Sequence, residues 1–529
     1  MATVAKGSEA GAAPAQLRRE VSVWGSYMWG FSDVGADIFA GLGLVTVASQ
    51  GAAPAAFALA GLVYVLIGLA YTELAAAFPV AGGGQYFATR GLGDLWGLIT
   101  GGALILDYTI DIALFAVSST GYLNALIAFF SGVDLTSIKV PLLGLHVQAV
   151  WLLEALALIA ALMWINVRGM RESNMFNQMV GLATMVIDLL LLLLGFVTVW
   201  SPGLFGSQVA HQMPSLHQFM YGSSLAIISF VGLESISQAA QETRHPSRIL
   251  PRSTLTLILT IFITSIGYSV LANGTLPWNA FAGHEQDSVT LLARRMPFIG
   301  PIAGPLTAVM GAAILAISAN SGVMSVSRLT YSMSHHNLLS SWFDYVDPRR
   351  FTPVRTILFF SGIGLVWTLF AFATPSVMDT LGNMYAFGAT LGYVVVFMAL
   401  IALRRKEPEV PRPFLMPLNL RLRNRDGRPY LFPVLGAVGF VSVLVVLFEV
   451  LYTHAVGRIF GPIWVVGWLV YFVYYRRRSG LGLRTLPRDW VGEQKEILAS
   501  AEEYQLLAEY EQAVAASGPH LERAEGFQP

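Results

Sequence analysis

The sequence predicts an all-α integral membrane protein of twelve transmembrane helices, arranged as a 5+5 inverted repeat with two further helices after it. Three observations lead there. Of 529 residues, 55% are hydrophobic and only 12% charged, where soluble domains carry roughly 25% charged residues. The apolar blocks are long enough to cross roughly 30 Å of hydrocarbon, and too long and continuous for the strands of a barrel. The first and sixth blocks each combine glycine with a carboxylate, and such interruptions at matching positions of two halves mark an inverted-repeat transporter fold.

In chain order, spans one and two cover 23–49 and 53–78, and the connector Pro79-Val80-Ala81-Gly82-Gly83-Gly84-Gln85-Tyr86 leads to a long third span at 95–130. Spans four to seven follow at 147–166, 174–200, 216–241 and 252–273. Spans eight to twelve lie at 299–334, 354–373, 377–403, 431–452 and 459–475. The expected organisation is a disordered cytoplasmic arm over 1–20, a first repeat over 21–203 and a second over 204–404. A loop with spans eleven and twelve fills 405–478, and a cytoplasmic tail occupies 479–529. Within that tail, 487–514 reads as one polar, acidic helix, solvated or lying at the interface.

Lys and Arg placement sets the orientation. With the N-terminus inside and twelve crossings, every one of the 32 basic residues except Lys139, Arg294, Arg295 and Arg458 falls on the cytoplasmic side. Both termini are therefore expected in the cytoplasm and the protein in the cytoplasmic membrane. The zero net charge offers no basic surface for nucleic acid. The absence of cysteine excludes a disulfide framework or a thiolate metal site. No nucleophile elbow, HExxH or P-loop lysine motif is present, so the chain does not read as an enzyme. No cofactor or metal is expected.

The chemistry-bearing residues are the polar minority inside the spans. Span one carries Asp33 and Asp37 among Gly30, Gly35, Gly41 and Gly43. Glycine costs a helix about 1 kcal/mol relative to alanine, and a carboxylate at the bilayer centre costs about 2.5–3.5 kcal/mol. A sequence that accepts both is expected to break its helix around a cavity, with unwinding over 34–40 here and 231–234 in span six. Gly35, Ala36, Val231 and Gly232 supply the backbone of those breaks, and Glu234 follows in span six. Asp107, beside Tyr108, lies about 18 Å along span three, near mid-membrane, and shares a helix face with Asp111 four residues on. Span eight adds Ser318, Asn320, Ser321 and Gly322, and span ten adds Asn383, Tyr385 and Gly388. Plainer readings stand beside these: hydroxyls and amides also serve as glue between helices. Glu154 and Asp188 are isolated enough to be structural, and Glu73 and Glu449 reach toward interfaces or structural partners. Five membrane acids with few embedded bases nevertheless call for a proton, a bound cation or water to balance them.

On these motifs the sequence resembles the amino acid–polyamine–organocation (APC) superfamily across spans one to ten. Gly35-Ala36-Asp37-Ile38-Phe39 is similar to its span-one loop, and 79–86 to its connector between spans two and three. The stretch Glu242-Thr243-Arg244-His245-Pro246-Ser247-Arg248-Ile249-Leu250-Pro251-Arg252 matches its signature after span six. The resemblance implies the LeuT-type inverted repeat. The chain departs from it at Asp37, where amino acid permeases usually have a glycine whose N–H faces the substrate carboxylate. The sequence also resembles KUP-related bacterial potassium importers at Ser32-Asp33, Leu106-Asp107-Tyr108, Gly232-Leu233-Glu234-Ser235-Ile236-Ser237, Ala319-Asn320-Ser321-Gly322 and Met384-Tyr385-Ala386. It has Ala40 and Val231 where those importers place a tyrosine and a threonine.

The expected function is import of an amino acid or related small amine by proton symport and alternating access. Asp33 and Asp107 would bind the cation or proton, Glu234 would serve the cytoplasmic half of the site, and Tyr108 and Tyr385 would form walls or gates. Potassium uptake coupled to protons is the alternative, and a non-transporting membrane sensor the more distant one. A sodium site between spans one and eight, built on Ser318 or Ser321, also stays open.

Overall fold

The computed structural model describes residue 19 and residues 21–517, apart from 143–144, 169–172, 239, 348–349, 351 and 425–426. The expected arm over 1–20 therefore lies almost wholly outside the described residues. Within them the chain is a helical bundle with eleven helical stretches long and apolar enough to cross a membrane. The first, Val23–Ala77, holds 55 residues, or about 80 Å of helix. That exceeds twice the hydrocarbon thickness and leaves room for both predicted crossings. Its direction is interrupted at Gln50, whose φ of 50° no helix accommodates. We keep the predicted span numbers for the helices observed.

Span three, Asp94–Ser131, is the central pillar, with span eight (Gly300–His335) and span ten (Val377–Lys406) packed along it. Its length follows from an unbroken run without proline, opened and closed by glycines of positive φ, Gly93 at 105° and Gly132 at 71°. Span seven (Pro246–Thr275) packs against span two, and spans eleven (Val434–Thr453) and twelve (Ala455–Arg478) lie on the outside. Span twelve buries few of its residues, which leaves most of it to face lipid. Two short antiparallel hairpins sit in the loops, Val140–Leu142 with Leu145–Val147 and Asn419–Arg423 with Pro429–Pro433. Neither is legible as a strand against the apolar runs around it.

The first and last described segments of the chain meet at one end of the bundle, which we call the basic end. Arg19 donates to the Ala240 and Thr243 carbonyls and to Ser500 Oγ, and the Val21 N–H donates to the Glu242 carbonyl. Buried ion pairs close this end. Glu73 accepts from Arg404, from Arg412 at 3.3 Å and from the Met416 N–H at 2.9 Å. Asp94 takes Arg476 and Arg488 at 2.5 Å each. Glu73 is thus a structural group, as one of its readings held.

The tail differs from expectation. It forms two helices, Trp490–Ser500 and Tyr504–Ser517, separated at Glu502, whose φ is 57°. Nor is it simply solvated: Gln494, Ile497, Leu498 and Tyr510 are buried. Gln494 accepts from Arg90 at 2.8 Å and donates to the Ala77 carbonyl at 3.1 Å. The scattered apolar residues of this acidic segment are its docking face.

Candidate functional site

Span one breaks more narrowly than its composition suggests. Its halves are Val23–Val34 and Asp37–Ser49, so only Gly35 and Ala36 stand outside regular helix, and both keep right-handed dihedrals. The Gly35 N–H still reaches the Phe31 carbonyl at 2.8 Å, but the Ala36 N–H turns to Asp33 O at 3.2 Å, a tighter i→i−3 bond. The expected unwinding over 34–40 is therefore corrected to two residues. Helix resumes at Asp37 because Asp37–Ala40 need no unusual dihedral. Asp33 ends up in the last turn of the first half and Asp37 in the first turn of the second.

Span six breaks fully. After a helix over Leu216–Leu225 and a tight 3-10 segment over Ala226–Phe230, Val231 is extended and Gly232 takes a φ of 107°. That value is open to glycine and strained for any other residue. The short helix Glu234–Gln238 follows. The Gly232 N–H donates to Glu234 Oε2 at 3.2 Å, and the Tyr393 hydroxyl of span ten donates to the same oxygen at 2.8 Å.

These breaks face each other. A Cβ on Gly232 would lie 3.0 Å from Asp33 Cγ, so the Asp33 carboxylate rests against the span-six break. Span eight holds that carboxylate from the other side, with Ser318 Oγ donating to Asp33 Oδ1 at 3.2 Å. One turn further along span eight, a Cβ on Gly322 would sit 2.5 Å from Asp111 Oδ2. Asp111 also accepts from the Tyr385 hydroxyl at 3.4 Å. Asp107 packs its backbone against Gly388 of span ten, and Glu234, Asp111 and Asp33 are all near enough to act on it electrostatically. Tyr108 OH accepts from Gln238 Nε2 at 3.2 Å, tying span three to the far side of the span-six break.

The residues expected at the site thus converge, with two exceptions in the wider set. Asn320 turns to span four, accepting from Asn166 at 2.5 Å, and Asn383 donates to Asp379 one turn earlier on its own span and to the Tyr221 hydroxyl of span six at 3.4 Å, near the opposite end; both hold helices together. Glu154 and Asp188 are engaged elsewhere, by Asn124 at 2.6 Å and by Tyr268 at 3.3 Å. Sequence reasoning missed Gln238 and Tyr393. Gln238 was findable one turn after Glu234, and Tyr393 two turns after Tyr385 on the same span.

Asp33, Asp37, Asp107, Asp111 and Glu234 are all 4% exposed or less. Among the described residues, no hydrogen bond or ion pair joins a Lys, Arg or His to any of the five. Among the described residues no N–H or hydroxyl donor is placed on either oxygen of Asp107, on Asp37 Oδ2 or on Glu234 Oε1; the Asp107 and Glu234 carboxyls lie within hydrogen-bonding reach of each other, and Ser321 within reach of Asp33. Such a set accepts hydrogen bonds and positive charge. No group of three His, Cys, Asp or Glu is spaced to hold a metal among the described residues.

Crossing-length helices, one pair of them broken around buried acids, define a multi-pass membrane transport protein. The amino acid permease family model matches residues 21–474, and the chain belongs to that family, within the APC superfamily. It is similar to a branched-chain amino acid permease of Bacillus subtilis, 25% identical over 88% of this chain and 95% of the relative. A methylthioribose transporter of the same organism is 27% identical over 84% of this chain and 91% of the relative. Human cationic amino acid transporter 4 is 25% identical over 72% of this chain and 59% of the relative.

Proposed function

We propose that the protein is a secondary active transporter that imports an amino acid or related small amine by proton symport and alternating access. The observation that carries this is the set of five buried acids without a base. In a low-dielectric interior several ionised carboxylates repel one another and forfeit hydration, so the charge must be balanced by protons, by a bound cation or by the ammonium of a substrate. Asp33 and Asp107 are the proposed cation or proton sites, with Asp111 and Asp37 beside them. Glu234 serves the half of the site toward the basic end, and Tyr108 and Tyr385 close its walls. Gly35, Ala36, Val231 and Gly232 lend backbone polar groups, and Ser318 and Ser321 lend hydroxyls. The second half of span one begins without a side-chain cap, so its first N–H groups suit a substrate carboxylate, with Asp37 restricting that approach.

The branched-chain and cationic amino acid transporters among the relatives support an amino acid substrate. Alternating access follows if 21–203 and 204–404 are the inverted repeats whose first helices carry the breaks. The concentration of arginine at the basic end supports placing both termini in the cytoplasm, with the protein in the cytoplasmic membrane. No cofactor beyond the coupling ion is required.

Purified protein in liposomes should concentrate labelled leucine or arginine when the outside is acid, and lose that accumulation when the pH gradient is collapsed. Accumulation that requires sodium and ignores the pH gradient would replace the coupling ion. Uptake of rubidium, a potassium substitute, with no amino acid transport would overturn the substrate class.

A further inference from the structure

Behind the acid cluster, on the lipid side of the bundle, lies a groove of about 500 Å³ between spans three, nine (Val354–Phe372), ten and twelve. Its walls are aromatic, including Phe360, Trp367, Trp464 and Trp468, and it lies within the volume range of small-molecule sites. Along span twelve it runs from Tyr471 back to Phe460, about 17 Å of helix. That is close to half of the roughly 30 Å hydrocarbon thickness, the depth of a single leaflet. The groove therefore matches one acyl chain lying along the helix, entering from the basic end.

The mouth at that end is built for a headgroup. Arg355, one turn before the groove residue Phe359, stacks over Trp342 and Tyr345 at 5.2 and 4.1 Å from their ring centres. Its Nη1 donates to the Trp342 carbonyl at 3.3 Å. It forms no ion pair with a described acid, while Asp347 in the adjoining loop already accepts the Arg350 N–H at 3.1 Å. Trp342 and Tyr345 are both part-exposed, as aromatic anchors at a membrane–water interface are. An arginine held there by aromatic faces keeps donors free for a phosphate.

We infer that this groove is a binding site for one anionic phospholipid, with an acyl chain between spans nine and twelve and its phosphate at Arg355. The site is independent of the transported substrate. It is nevertheless adjacent to the acids, because its floor includes Leu106 and Met384, which precede Asp107 and Tyr385 in the chain. The lipid tail supports spans three and ten directly behind the cluster.

Gly467 lines the groove, and a Cβ there meets nothing within 4 Å. Gly467→Leu therefore starts its side chain in open space within the groove and narrows it, and leucine favours helix over glycine. Gly362, on span nine and also open, does not line the groove, so Gly362→Leu is the matched control. Delipidated full-length protein is titrated with phosphatidylglycerol or phosphatidylcholine, and bound lipids are counted by native mass spectrometry. Wild type and Gly362→Leu should retain one more tightly bound phosphatidylglycerol than Gly467→Leu. Wild type should prefer phosphatidylglycerol over phosphatidylcholine by about fivefold, the worth of one basic residue near an anionic headgroup, and Arg355→Gln should abolish that preference. Equal retention by Gly467→Leu and wild type would overturn the tail site. A wild type without headgroup preference, or Arg355→Gln that keeps it, would overturn the assignment of an anionic lipid.

Discussion

The Asp33 carboxylate lies against Gly232, 3.0–3.1 Å from where a side chain at that glycine would begin. The break in span one and the break in span six are thereby pressed into one structure. Alanine at position 232 would strain a φ of 107°, at a cost of about 1–3 kcal/mol, and would push Asp33 off Ser318. Gly232→Ala is expected to lower the unfolding temperature and abolish uptake. Thermal unfolding together with liposome uptake checks both, and wild-type behaviour in each would refute the contact.

The Glu73 charge network makes a purely structural prediction. Glu73 and Arg404 are buried completely, with Arg412 nearly so. Removing one partner of such a pair leaves a buried charge uncompensated, typically at about 3–5 kcal/mol. Glu73→Ala should therefore be strongly destabilised in thermal or denaturant unfolding. Replacing Glu73 and Arg404 together by methionine should recover part of the loss. A single variant as stable as wild type would show that the network carries no weight.

Much of this was legible from residues alone, for identifiable reasons. Spans are written in apolar runs that the bilayer demands, and acids such as Asp107 and Glu234 stand out because burying them is expensive. The extent of the span-one break was not legible. Glycine composition signals a disturbance, but whether two residues or seven leave the helix depends on packing against Gly232 and Ser318. Span six was clearer, since Gly232 beside Glu234 permits a backbone that only glycine holds without strain. Asn320 and Asn383 were misleading because an amide inside a span reads the same whether it faces a site or a neighbouring helix. The tail was read as one helix, solvated or at the interface, rather than two docked ones because its apolar residues are sparse, and the surface that buries them is made of distant segments.

Docking of that tail should respond to acid. Burial pushes the Glu493 carboxyl up, but His336, Tyr86 and Arg90 together pull it down further, so it sits below its ordinary value of 4.5. A depressed carboxyl contributes stability that is full above the unfolded value and lost as pH falls through the folded one. The tail is thus expected to stay docked at neutral pH and loosen below about 4.5, the reference set by an unperturbed glutamate. Because the chain has no cysteine, spin labels on single cysteines at Arg405 and Lys495 report this distance cleanly. It should be single-valued at neutral pH and broaden in acid. Broadening as pH rises would reverse the assignment.

Asp107 bears the central claim. Both of its oxygens are buried with no N–H or hydroxyl donor placed on them among the described residues, its carboxyl lies within hydrogen-bonding reach of Glu234, and Asp111 and Asp33 are near enough to act on it. Asn at this position keeps the size and the hydrogen-bonding capacity but carries no charge and shuttles no proton. The decisive measurement is uptake driven by a pH gradient in liposomes bearing Asp107→Asn, beside the thermal stability of the same preparation. The variant should unfold near the wild-type temperature, keep substrate exchange and lose concentrative uptake. Wild-type accumulation by a stable Asp107→Asn protein would contradict the proposal that this carboxylate couples protons to transport.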